Sequence, residues 1–183
     1  MKRYLKILLI IMTCFILGTG NVEAKSYIND LFQAGDNISV DKELNGTAFI
    51  AGNKVELNSK IDGIGFIAGN ELNINYDQDY MFGAGATINI NNNIEKDVFL
   101  AGEKVNIKET ANLNRDAYIF ANTVNIEGSI ERNVYVYSTT VNIKGTIKGN
   151  IVVSAMEVNI DENAKILGTL KYDENAVIEG IRE

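Results

Sequence analysis

Four carboxylates are the residues whose type and spacing could do chemistry. Asp77 and Asp79 lie two apart, and Asp97 and Asp116 hold equivalent places in neighbouring copies of a repeat. Paired carboxylates serve glycoside hydrolysis, one as acid and the other as base or nucleophile. The same oxygens suit calcium, a hard cation that takes about six to eight of them. No dense calcium motif surrounds them, and acids at turns read more simply as solvated corners. Polysaccharide-degrading β-helices carry long loops around their clefts, whereas the repeat length here hardly varies. The chain has no histidine, so Ser-His-Asp, Cys-His and His-metal sites are excluded. There is no Walker-type phosphate loop. The expectation is a non-enzymatic protein without a metal or cofactor.

The elements that position these acids are set by an internal repeat. The segments DVFLAGEKVNI (from Asp97), DAYIFANTVNI (from Asp116), NVYVYSTTVNI (from Asn133) and NIVVSAMEVNI (from Asn150) align without a gap. Four more copies begin at Asp30, Thr47, Ile64 and Tyr80. Successive starts are 17, 17, 16, 17, 19, 17 and 17 residues apart, and a partial ninth copy begins near Leu170. A fixed period of this kind marks a stacked architecture.

Each copy reads as three short strands. In the second, an apolar pair two residues apart recurs, as in Val105/Ile107 and Val124/Ile126, so both members share one face. A third stretch supplies one apolar residue per copy: Leu44, Ile61, Ile94, Leu113, Ile130, Ile147 and Ile166. The third copy offers only Tyr76 near that place, which implies an irregular corner. Gly46, Gly63, Gly128, Gly145, Gly149 and Gly168 are expected at sharp turns. Strands this short cannot bury a face alone, but stacked coils at ~4.8 Å can. Proline, which would remove ladder donors, is absent. The apolar steps are unequal, seven from Val98 to Val105 and eight from Val105 to Leu113, which argues against a left-handed hexapeptide helix. The expected fold is all-β: a single-stranded right-handed β-helix (β-solenoid) of about eight coils of ~17 residues, roughly triangular in section.

The first strand carries an aromatic column: Phe32, Phe49, Phe66, Phe82, Phe99, Tyr118 and Tyr135, followed by Val152. Its neighbours in sequence are largely Ile, Leu and Val. Alternation assigns those inward and the aromatics outward, followed by a column of Ala34, Ala51, Ala68, Ala84 and Ala101. Stacked rings stabilise a ladder, and a contiguous apolar stripe also marks a contact surface. A second outward column, Asn73, Asn89, Asn106, Asn125, Asn142 and Asn159, is expected to hydrogen-bond along the axis.

The chain begins with Lys2, Arg3 and Lys6, an apolar run over residues 7–17, and a small-residue site at Val22-Glu23-Ala24. The run is too short to span a membrane and reads as a signal peptide over residues 1–24, leaving a solenoid domain over residues 25–183. Cleavage would remove the single cysteine, Cys14, and take the formal charge from −7 to about −9. An acidic protein is a poor partner for nucleic acid. The expected location is extracytoplasmic or membrane-associated.

The unit GNIVV…VNI, with GTIKG between coils (residues 145–160), resembles the bactofilins, polymer-forming cytoskeletal proteins of bacteria. The resemblance covers roughly residues 30–180. It implies a right-handed β-helix that polymerises end to end, without nucleotide, into scaffolds near the membrane and cell wall. Bactofilins are usually cytoplasmic, and the export signal of this chain departs from that pattern. Only three residues follow Gly180, so the last coil is expected to be open, with Leu170, Tyr172 and Ile178 as its assembly residues. Gln33 at an inward site would form a mild polar cap on the first coil. The reading is an exported scaffold whose partner is itself, with cell-envelope proteins or the membrane as further partners. The alternative is a cell-surface module that docks a protein, glycan or membrane through its aromatic stripe.

Overall fold

The computed structural model describes residues 30–180; the leader assigned to residues 1–24, like the residues after Gly180, lies outside them. The described chain is a β-solenoid of nine coils, all parallel and without a helix. The coils are numbered here by the residue each places in the aromatic column: Phe32 in coil one, Phe99 in coil five, Val152 in coil eight and Lys171 in coil nine. The ninth coil is built from Leu170–Tyr172 and Val177–Glu179.

The three short strands expected per coil are joined more than that. In coils five to seven the first two form one strand of 10 residues, as in Val98–Ile107 and Ala117–Ile126. Leu44–Leu57 and Ile61–Ile74 run for 14 residues through two corners. A corner does not interrupt pairing when the coil above bends in the same place. The third side is short elsewhere: Asn112–Leu113, Ser129–Ile130, Thr146–Ile147 and Lys165–Ile166.

Register is like over like. Phe49 pairs Phe66, Val55 pairs Leu72 and Leu57 pairs Ile74. The interior is therefore a set of aliphatic columns, and Val105, Ile107, Leu113, Ile126 and Ile130 are all fully buried. All but Leu113 are β-branched, which suits the pleated surface of a strand.

Two corners depart from the sequence expectation. The inward position in the third copy belongs to Gln78 and not to Tyr76, which is exposed. Gln78 pairs with Ile61 below and Ile94 above. It survives burial because its amide is fully engaged: Oε1 accepts from the Ile61 N–H at 3.0 Å, and Nε2 donates to the carbonyls of Ser59 and Tyr76, each at 3.0 Å. Gly46 and Gly63 lie inside strands, with φ of 155° and 156°. A Cβ on Gly63 would strike the Gly46 carbonyl directly below.

A column of Asp and Asn forms another corner. The Asp97 carboxylate accepts from the Asp116 N–H at 3.2 Å, Asp116 from Asn133 at 3.0 Å, Asn133 from Asn150 at 3.1 Å, and Asn150 from Thr169 at 2.9 Å. Each side chain thus caps a backbone donor one coil further on.

Candidate assembly surface

The aromatic column points outward, as alternation requires. Ile50, Ile67, Leu100 and Ile119 beside it are buried, while Phe49, Phe66, Phe82, Phe99 and Tyr135 are 36–42% exposed and Phe32 is 74% exposed. All seven rings from Phe32 to Tyr135 stack in one continuous ladder. Centroids are 4.7–5.0 Å apart and ring planes agree within 16°. That spacing is set by the strand separation of ~4.8 Å. It exceeds the roughly 3.5–4.0 Å of carbon contact, so the parallel rings must be slipped across one another. Tyr118 sits within the ladder. Burial among its neighbours, with the Asp116 carboxylate nearby, raises its phenol above the ordinary 10.0.

The alanine column behind the stripe does not continue as alanine. Register carries Ala101 to Phe120, Phe120 to Tyr137 and Tyr137 to Ser154. Phe120 and Tyr137 are 59% and 64% exposed. Sequence reasoning stopped this column at Ala101. Following that column through the next two copies would have found both rings. The result is a face with a recess and a rise. Over coils three to five the Phe rings wall an apolar trough of about 370 Å³ floored by Ala68, Ala84 and Ala101, with Phe120 closing one end.

The adjoining face is polar. Asn89, Asn106, Asn125, Asn142 and Asn159 each donate from Nδ2 to the Oδ1 of the Asn one coil before, at 2.7–3.0 Å. Asn73 instead donates to Glu71 at 2.7 Å. At the far end, Glu179 occupies the next rung above Asn159. A carboxylate has no N–H to offer, and the Asn159 Oδ1 is buried without a partner.

Among the described residues, each terminal coil is paired on one side only. Leu31–Val40 pairs with coil two, Leu170–Tyr172 with Ile151–Ser154, and Val177–Glu179 with Glu157–Ile160. Gln33 lies beneath Ile50 in an inward column but is exposed, since among the described residues its strand has no neighbour on the other side. Leu170 and Ile178 are partly buried against the core. Tyr172 continues the inward column of Val153 but is 46% exposed. The three residues therefore share the final coil, with the aliphatic ones seated and the tyrosine at the rim.

The carboxylates with chemical potential are all engaged. Asp77 accepts from the Asn93 N–H at 3.3 Å, and Asp79 lies 3.5 Å from Lys60. Arg115 lies 3.3 Å from Asp97, and Arg132 lies 3.5 Å from Asp116. Among the described residues no group of three His, Cys, Asp or Glu side chains could hold a metal ion. Comparison with protein-family models, curated proteins and solved structures returns no match.

Proposed function

We propose that the protein is a non-enzymatic structural scaffold, an exported bactofilin-like β-solenoid that self-assembles end to end at the cell envelope. The observation that carries this reading is that, among the described residues, both end coils are paired on one side only. A strand with free N–H and C=O groups along one side is a template for another strand. Solenoids either cap such ends or use them. In coil nine the free edge is accompanied by the partly exposed Leu170 and Ile178 and by Tyr172 at the rim. Joining two ends would extend the ladder and cover these side chains. The leader with its basic start and apolar run supports export, and the repeat supports the bactofilin likeness.

Negative-stain electron microscopy of the purified protein at micromolar concentration tests this. Nine coils at ~4.8 Å make a rod on the order of 40 Å long. The expected result is filaments many times that length. Discrete rods of one solenoid length at every concentration would overturn end-to-end assembly.

A further inference from the structure

The aromatic face has the relief of a surface made for itself. Its recess, over Ala68, Ala84 and Ala101, and its rise, Phe120 and Tyr137, belong to one column displaced along the axis. We infer that this face binds the same face of a second copy running antiparallel, with the rise of each seated in the recess of the other. The inference deepens the scaffold reading and rests on it.

The geometry follows from the stacking. A two-fold axis along the strand of coil five, through Phe99 and Ala101, reverses the coil order and keeps each column opposite itself. Coil six then lies over coil four, and coil seven over coil three. Phe120 falls on Ala84 of the second copy, and Tyr137 on its Ala68. An isologous interface needs this kind of self-complementary patch. The parallel alternative, a two-fold along the solenoid axis with each coil over its equal, lays the ring column of one copy over the alanine column of the other but drives Phe120 and Tyr137 against Tyr118 and Tyr135.

Area and charge agree. The eight exposed rings on this face, from Phe32 to Tyr137, are each 36–74% exposed. At about 200 Å² per aromatic side chain they offer on the order of 750 Å². A stable interface takes about 800 Å² from each partner. The two outward columns of this face carry no charge from coil one to coil eight; the first charges are Lys171 and Asp173 in coil nine. An uncharged centre with charges at the rim is the anatomy of a protein interface.

Ala84→Lys in the full chain tests the inference. Ala84 is exposed, so the change puts a charge on the floor of the trough and leaves the core and the ring ladder intact. Wild-type particles are expected to be two solenoids wide by electron microscopy, and the variant one solenoid wide with unchanged length. Width reports lateral pairing and length reports end-to-end assembly, so either can fail alone. In a Cys14→Ser background, Ala101→Cys is expected to cross-link to itself with a short bismaleimide, and Ala51→Cys is not. Wild-type particles one solenoid wide, or a variant of unaltered width, would overturn the inference. Equal cross-linking at both cysteines would overturn the antiparallel arrangement. A single-width protein that floats with phosphatidylcholine vesicles would overturn it in favour of a lipid surface.

Discussion

Asn106 donates from Nδ2 to the Asn89 Oδ1 at 2.8 Å, and every other rung of that ladder points the same way, from the later coil to the earlier. Asn106 also accepts from Asn125 at 2.7 Å, so it belongs to two rungs at once. Asn106→Ala would leave the Asn89 acceptor and the Asn125 donor unmatched on a partly buried face. The expected cost is about 1–3 kcal/mol, read as a lower midpoint in urea unfolding. A variant as stable as the parent would mean that water replaces both bonds.

Gln78 stands in an aliphatic column, and a repeat consensus would replace it with leucine or isoleucine. Gln78→Leu is nevertheless expected to destabilise by about 1–3 kcal/mol. The change would orphan the buried Ile61 N–H and the carbonyls of Ser59 and Tyr76. Urea unfolding checks it, and a gain in stability would show that aliphatic packing outweighs the three bonds.

The glycine corner offers a matched pair. An added Cβ at Gly69 would sit 2.5 Å from the Gly52 carbonyl oxygen, whereas at Gly35 the nearest atom is 3.7 Å away, on Ile38. Gly69→Ala is expected to cost roughly 1–3 kcal/mol through forced backbone shifts. Gly35→Ala should stay within about 0.5 kcal/mol of the parent. Equal effects in denaturant melts would contradict the stacking argument.

The raised phenol of Tyr118 gives a pH signature. The fold favours its neutral form, so the associated stability is fully present below the unfolded value of about 10. It is lost as pH rises through the higher folded value. Thermal melts at about pH 9 and about pH 11 should diverge more for the parent than for Tyr118→Phe, which has no proton to lose. Identical divergence would place the alkaline sensitivity elsewhere.

Much of the architecture could be read from residue order because a solenoid writes each column once per coil. Val105 and Ile107 announce their strand by recurring as Val124 and Ile126. The outward turn of Phe66 follows from the burial of Ile67 beside it. What escaped did so for physical reasons. Gln78 was passed over in favour of Tyr76, since nothing local reveals that its amide partners are backbone groups waiting at a corner. The capping by Asp97, Asp116, Asn133 and Asn150 was hidden because each acceptor serves a backbone N–H, which has no letter in the sequence. Strand lengths were underestimated because pairing through a bend depends on the coil above, not on the residues of the bend. Phe120 and Tyr137 were missed as a continuation of the alanine column because their bulk disguised a shared position.

The in-register stacking also fixes how far apart in the chain contacting strands can be. Paired residues are separated by 16, as in Ile64 and Tyr80, up to 20, as in Val158 and Ile178. No pairing closes a loop longer than about one circuit, and none ties the beginning of the described chain to its end. Closure entropy is then met in small equal steps, and the molecule can be assembled or dismantled one turn at a time. Length becomes a free variable. Excising residues 116–132 would set Asn133 directly on Asp97 and join the neighbouring columns in register. The product would be the same object, shorter by one strand spacing of ~4.8 Å, with both of its ends unchanged.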